Sequence, residues 1–195
     1  CFATPIGQTP MDLGADLVVH SATKWIDGQG RVLGGAVVGR KDLIHDIYLF
    51  CRSTGPSLSP FNAWVLSKSL ETLEVRMERH GSNALYIAEK LEGHQKINFV
   101  KYPFLNTHPH VAIAKKQMKN GGGIVCFQLK GGIEAGRKFL NALKMLSLTA
   151  NLGDTRSIAS HPASTTHAKL SEAEREAVSI TPGLIRISAG LEHRE

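Results

Sequence analysis

The residues best suited to chemistry in this sequence gather around one lysine. Asp16-Leu17-Val18-Val19-His20 runs into Ser21-Ala22-Thr23-Lys24. Leu17, Val18 and Val19 are apolar without polar alternation, which predicts a short strand covered on both faces. Ser21 and Thr23 then offer two hydroxyls, and Lys24 one amine, at the strand's carboxyl end. Open α/β sheets bind ligands at that end. Two hydroxyls beside a lysine suit a phosphate-bearing carbonyl compound: hydroxyls and backbone N–H groups hold the phosphate, and the amine forms a Schiff base. An isolated lysine is by default a solvated surface residue, so this reading needs the surrounding pattern.

A second candidate is Arg186, within Leu184-Ile185-Arg186-Ile187-Ser188. An arginine in an apolar strand needs an anionic partner. One partner is structural, with Glu192 as the nearest choice. The other is a ligand carboxylate, which a planar guanidinium grips with two parallel hydrogen bonds. The residues alone leave these two readings even. His108 with His110, and His161 with His167, lack a cysteine or carboxylate at ligand spacing, so no metal site is expected.

The elements that must position these groups follow from periodicity and punctuation. Leu17 to His20 and Ala36 to Gly39 read as strands, the second reached through Gly34-Gly35. Asp42 reads as the N-cap of a helix with Leu43, Ile44, Ile47, Tyr48 and Phe50 as its apolar stripe. Residues 51–60 form a loop by their Gly and Pro content. Residues 61–91 carry three- and four-residue apolar spacing and predict one long helix, with a break at His80-Gly81-Ser82. Beyond it come a strand at 98–102, a helix at 111–119, a strand at 124–129, a helix at 134–146 and strands at 148–151 and 184–188. This alternation predicts a small α/β domain with one sheet covered by helices.

Composition narrows the class. The chain has 195 residues, 42% of them hydrophobic and 21% charged, so it can bury a substantial core. No apolar run approaches the ~20 residues that span a bilayer, and no secretory signal is expected at residues 1–10. The three cysteines are odd in number and widely spaced, which fits a reducing cytoplasm better than a disulfide scaffold. The net charge of +6 is scattered and aromatics are only 6%, so neither a nucleic-acid nor a membrane partner is expected.

Against this background a resemblance appears. His20-Ser21-Ala22-Thr23-Lys24, the glycine-rich turn after it and Gly34-Gly35-Ala36-Val37-Val38 resemble the lysine segment of the pyridoxal-phosphate enzymes of cysteine and methionine metabolism. That family includes cystathionine γ-synthases, cystathionine γ-lyases and O-acylhomoserine sulfhydrylases. Lys24-Trp25-Ile26-Asp27-Gly28-Gln29-Gly30-Arg31 is most similar to the O-succinylhomoserine sulfhydrylase branch. Asn151 and Ser164-Thr165-Thr166-His167 lean the same way. Residues 151–157 and 161–167 resemble the small-domain loops that close over the active site, and residues 183–192 its last strand.

The resemblance implies an α/β fold: the carboxyl-terminal part of an aspartate-aminotransferase-like (fold type I) enzyme. Residues 1–60 would be the end of the large domain with its mostly parallel sheet, 61–91 a connecting helix, and 92–195 the small domain. It implies Lys24 as the catalytic residue, with Ser21, Thr23 and Lys24 binding pyridoxal 5′-phosphate, and Arg186 with Asn151 binding the substrate's α-carboxylate end. Cys1 would lie near the cofactor ring, the packing alternative being a small buried thiol. The implied reaction is γ-replacement on O-succinylhomoserine or another O-acylhomoserine, with sulfide giving homocysteine. Alternatives are cystathionine γ-synthase or γ-lyase chemistry, or a non-catalytic incomplete fragment. The implied partners are an amino-acid substrate and further copies of the chain, as a homotetramer of two active dimers.

Overall fold

The computed structural model describes residues 1–194. A short helix α1 (Thr4–Gly7) leads to a strand pair, β1 (Leu17–Ser21) and β2 (Gly35–Gly39), followed by helices α2 (Lys41–Thr54), α3 (Pro60–Leu70) and α4 (Leu73–Leu91). Then come β3 (Ile97–Lys101), α5 (Val111–Gln117), β4 (Ile124–Leu129), α6 (Gly132–Ala142), β5 (Ser147–Leu148), β6 (Ile158–Ser160), α7 (Glu172–Ala177) and β7 (Leu184–Ser188). Among these residues no helix is long and apolar enough to cross a membrane.

β1 and β2 pair antiparallel, with Leu17 opposite Gly39 and Ser21 opposite Gly35. The expectation that β1 is covered on both faces does not hold within this chain. Val18 and His20 are buried, whereas Val19 is 65% exposed and Val37 and Val38 are also exposed. The apolar run therefore serves two faces, of which these residues cover one.

Residues 61–91 are not one helix. The break lies at Glu71-Thr72, and α4 runs straight through His80-Gly81-Ser82. Hydroxyls make the break. Ser69 Oγ donates to the Val65 carbonyl, while the Ser69 carbonyl accepts from the Thr72 hydroxyl and the Arg76 guanidinium instead of continuing the helical ladder. Gly81 is there for packing: a Cβ on it would sit 3.2 Å from the Asn120 side chain. Asp42 is not an N-cap either. Arg40 holds that position, and Asp42 lies in the first turn, paired with the Arg40 guanidinium. α2 continues through Thr54, so the expected loop at 51–60 shortens to the residues between α2 and α3.

The second sheet has the order β3-β4-β7-β6-β5, antiparallel throughout except for β5 with β6. One face carries Phe127, Ala159, Ile185 and Ile187 against apolar side chains of α4 and α6, including Ile87, Phe139 and Leu140. Pairing brings Cys126, Arg186 and Ser160 side by side on the opposite face. The predicted strand at 148–151 is only Ser147–Leu148, and the helix at 134–146 spans Gly132–Ala142. β6 and α7 were not predicted. β6 is three residues long, below the length at which alternation is visible, and α7 is six residues closed by a Ser171–Glu174 capping box.

Candidate functional site

Lys24 sits in a tight turn, Ala22–Ile26, directly after β1. Its own backbone is non-helical, at φ −88° and ψ −122°, so the turn is kinked at the lysine. The Nζ amine donates to Ser21 Oγ at 3.1 Å. Among the described residues it has no carboxylate partner. An amine held by a neutral hydroxyl, with no ion pair to break, is available as a nucleophile or base. Thr23 is used differently. Its hydroxyl donates to the Gly34 carbonyl (3.3 Å) and accepts the Gly34 N–H (3.0 Å), pinning the turn to the start of β2. Ser21 accepts from the lysine, and its own hydroxyl proton has no acceptor among the described residues.

The turn is held from below by two arginines that sequence reasoning missed. Arg76 of α4 is buried and donates to the carbonyls of Trp25 (2.7 Å), Ile26 (3.1 Å) and Ser69 (2.9 Å). Burial lowers its pKa, repulsion from Arg31 adds to that, and Asp27 opposes it. Arg31 donates from Nε to Asp27 Oδ1 (2.9 Å) and from Nη2 to Ser69 Oγ (2.6 Å), while its backbone N–H reaches Asp27 Oδ2 (2.7 Å). Trp25 is buried edge-on to His80, with ring centroids 4.7 Å apart. His80 is fully buried, its Nδ1 is 2.6 Å from the Ala189 carbonyl, and burial above all brings its pKa down to about 4. That makes His80 a neutral ring donating to the strand end at Ala189.

The second sheet reaches the lysine through residues 150–157. Gly153 lies so close that a Cβ there would be 2.8 Å from the Trp25 nitrogen and 3.2 Å from Lys24 Cα. Its N–H donates to Ser188 Oγ (3.0 Å), and the Thr155 N–H donates to the Gly28 carbonyl (2.7 Å). Leu152 joins Trp25 and Ile26 in one apolar cluster. The lysine turn, this loop and the end of β7 are thus one packed unit.

Arg186 is half-buried on β7. Its Nη2 donates to the carbonyls of Ala150 (2.8 Å) and Asn151 (3.1 Å). Burial lowers its pKa, with the Cys126 thiol opposing. The structural ion pair with Glu192 is not made, because Glu192 is spent on Ser157, accepting from its N–H (2.6 Å) and its hydroxyl (2.9 Å). No carboxylate among the described residues pairs with Arg186. Asn151 meets Arg186 through its backbone carbonyl, and its side chain is exposed. Cys1 is exposed, so the packing alternative for that thiol does not apply. Among the described residues no group of three His, Cys, Asp or Glu is placed to hold a metal ion.

Fold and site together describe a lysine-centred α/β unit with, on the adjoining sheet, an arginine that has no acidic partner among the described residues. The whole of it, residues 1–195, matches the family described as Cys/Met metabolism PLP-dependent enzyme. The chain belongs to that family, whose fold is type I and whose members depend on pyridoxal phosphate. It is similar to an O-succinylhomoserine sulfhydrylase of Pseudomonas aeruginosa, 48% identical over 98% of this chain and 48% of that protein. It is equally similar to an L-methionine γ-lyase of Fusobacterium nucleatum subsp. polymorphum, 50% identical over 100% of this chain and 50% of that protein. A cystathionine γ-synthase of Xanthomonas oryzae pv. oryzae, crystallised with aminoacrylate and cysteine, matches with a TM-score of 0.95 at 42% identity, over 99% of this chain and 50% of that one. The chain spans about half the length of the relatives it matches.

Proposed function

We propose that this chain carries the lysine-bearing part of a pyridoxal-phosphate enzyme that replaces the γ-substituent of an O-acylated homoserine, most simply O-succinylhomoserine, with sulfide. The observation that carries the reading is the pairing of two unneutralised cations in one packed unit. Among the described residues Lys24 is held by Ser21 alone, and Arg186 by carbonyls alone. A half-buried guanidinium without an acid is a site for a ligand carboxylate.

The residues fit the cofactor. Lys24 would hold its aldehyde carbon and Ser21 its phosphate, with Thr23 joining there once its hydroxyl proton turns from the Gly34 carbonyl. When bound, pyridoxal phosphate supplies a ring that accepts the negative charge developed next to an amino-bearing carbon. Arg186 fixes the substrate's α-carboxylate, with Asn151 shaping the same end. Freed by the substrate's own amine, Lys24 would take the Cα proton, pass it to the cofactor's aldehyde carbon and, neutral again, take one from Cβ. Loss of the second lets the γ-acyloxy group leave. Sulfide adds at Cγ, the protons return by way of Lys24, and homocysteine and the free acid result. The turn's clamps matter here because a general base must stay within hydrogen-bond reach of both carbons.

The leaning to sulfide rests on Asn151 and residues 164–167 and on the similarity to the sulfhydrylase. The similarity to methionine γ-lyases supports a second reading, γ-elimination from L-methionine, and the structural neighbour a third, with cysteine as nucleophile. Assembly with further copies is part of the proposal. Large apolar side chains on β1, β2, α2 and α3 are exposed, among them Val19, Val38, Phe50, Phe61 and Trp64.

The test is an absorbance spectrum with added pyridoxal phosphate before and after borohydride, followed by digestion to locate the label. Cofactor fixed on Lys24 supports the reading, and label scattered over surface lysines overturns it. Turnover with O-succinylhomoserine and sulfide, against cysteine and against methionine alone, then separates the three reactions.

A further inference from the structure

The face of the second sheet that carries Arg186 also carries a buried hydroxyl with nothing to bond. Ser160 is 4% exposed, and its Oγ has no hydrogen-bond partner. Buried polar side chains are overwhelmingly partnered, so an orphan calls for an explanation. Its place in the sheet supplies one. Ser160 is the β6 residue directly opposite Arg186 on β7. Residues paired directly across antiparallel strands project to the same face with Cβ atoms about 5 Å apart.

The strand order is β7-β6-β5, and Ala150 and Asn151 follow β5. The loop after β5 returns to β7, where the Gly153 N–H donates to Ser188 Oγ, so Arg186, Ser188 and Ser160 share the sheet face that this loop meets. Arg186 spends only Nη2 on the Ala150 and Asn151 carbonyls, leaving Nε and Nη1 without a hydrogen bond among the described residues. Either two-point grip on a carboxylate uses Nη2 together with Nε or Nη1. The guanidinium must therefore give up at least one of its two carbonyls when a carboxylate arrives. Whichever of Nε and Nη1 the carboxylate leaves unused still lacks an acceptor among the described residues. A serine hydroxyl has two lone pairs and a freely turning proton, which suits that position.

We infer that Ser160 is a positioning residue for Arg186: its hydroxyl takes over as acceptor for the guanidinium once a substrate carboxylate has drawn it off the Ala150 and Asn151 carbonyls. This rests on the proposed role of Arg186 as the carboxylate site. It makes Ser160 a determinant of amino-acid affinity without contact to the reacting atoms.

The test is calorimetric titration of the cofactor-loaded protein with norvaline, which has a carboxylate but no γ-leaving group, and with butylamine, which lacks the carboxylate. Removing a hydrogen bond to a charged group corresponds to roughly tenfold in affinity. Ser160→Ala is expected to weaken norvaline by about that factor and leave butylamine within about twofold. Ser160→Cys, near the native size, guards against a packing defect and should behave like Ser160→Ala. Ser160→Thr keeps the hydroxyl and should restore most of the affinity. In an Arg186→Lys background, Ser160→Ala should add nothing. Unchanged norvaline affinity in Ser160→Ala, equal loss for both ligands, or full additivity with Arg186→Lys would each overturn the inference. Wild-type protein that binds butylamine and norvaline equally would instead bring down the reading of Arg186, and this inference with it.

Discussion

Gly153→Ala should uncouple the lysine turn from the sheet that carries Arg186, and the size of the effect can be worked out in advance. Gly153 has φ +83°, a left-handed backbone that costs an L-residue about 1–2 kcal/mol. The new methyl would also meet backbone: the Trp25 nitrogen at 2.8 Å, the Lys24 carbonyl carbon at 3.0 Å and Lys24 Cα at 3.2 Å. None of these is the flexible end of a side chain, so loop and turn must separate by several tenths of an ångström. Alanine restricts the unfolded chain and returns roughly 0.4–1 kcal/mol. The net destabilisation is then about 1–3 kcal/mol, or roughly 3–10 °C in melting temperature for a chain of this size. Gly55 provides the control. It has φ +97° with nothing within 4 Å of its built Cβ, so Gly55→Ala carries the backbone penalty without the contacts. The assay is thermal unfolding of both variants, followed by borohydride trapping of pyridoxal phosphate on Lys24. Gly153→Ala should melt lower than Gly55→Ala and trap cofactor on Lys24 several-fold more slowly, whereas Gly55→Ala should trap like wild type. If the two variants match in both melting and trapping, the packing of residues 150–157 on the lysine turn does not position Lys24.

His80 gives the stability a pH dependence whose sign follows from its burial. Its folded pKa, about 4, lies below the ordinary 6.5, so the neutral ring is the folded form. The full contribution is present above pH 6.5 and is lost as pH falls towards 4, a loss of about 3 kcal/mol at most. Urea midpoints should fall between pH 7 and pH 4.5 in wild type and fall less in His80→Gln; equal falls would refute the assignment. Asp27→Asn removes the charge from a 1%-exposed carboxyl that accepts Arg31 Nε and the Arg31 N–H. It leaves Arg31 and Arg76 near each other without the counter-charge and should cost about 3 kcal/mol or more in chemical denaturation. A loss under about 1 kcal/mol would mean that the arginines repack without it.

What could be read from the sequence divides along a physical line. Groups that project from strand ends were legible, because a strand followed by Ser-Ala-Thr-Lys and an arginine inside an apolar strand each violate a local pattern. β4 and β7 were legible residue for residue, since both strands are mostly apolar and directly preceded by a glycine. The clamp was not legible. Arg76 looks like one more charge on a helix, and only its hydrogen bonds to Trp25 and Ile26, 51 and 50 residues away, give it a role. Gly153 carries no signal of its own in the sequence, and only the fold shows the Lys24 backbone against it. The break at Glu71-Thr72 was hidden for the same reason. Its hydroxyls compete with the helix through carbonyls, and periodicity of apolar side chains does not register that competition.

The same division bears on specificity. The residues proposed to hold and move atoms common to every substrate, Lys24 and Arg186, lie on a clamped turn and the central strand β7. Asn151 and residues 164–167, on which the proposed leaning to sulfide rests, lie outside the strands and long helices, and the exposed Asn151 side chain makes no hydrogen bond among the described residues. An exposed group that makes no hydrogen bond within its own chain can change identity at little energetic cost to the fold. Relatives named for different reactions can therefore be 42% to 50% identical to this chain over the matched residues. Exchanging Asn151 should accordingly shift which nucleophile or leaving group is accepted while leaving the melting temperature within about 2 °C, as expected of an exposed position. A large loss of stability in Asn151→Ser would place that residue with the scaffold and return the choice of reaction to groups outside this loop.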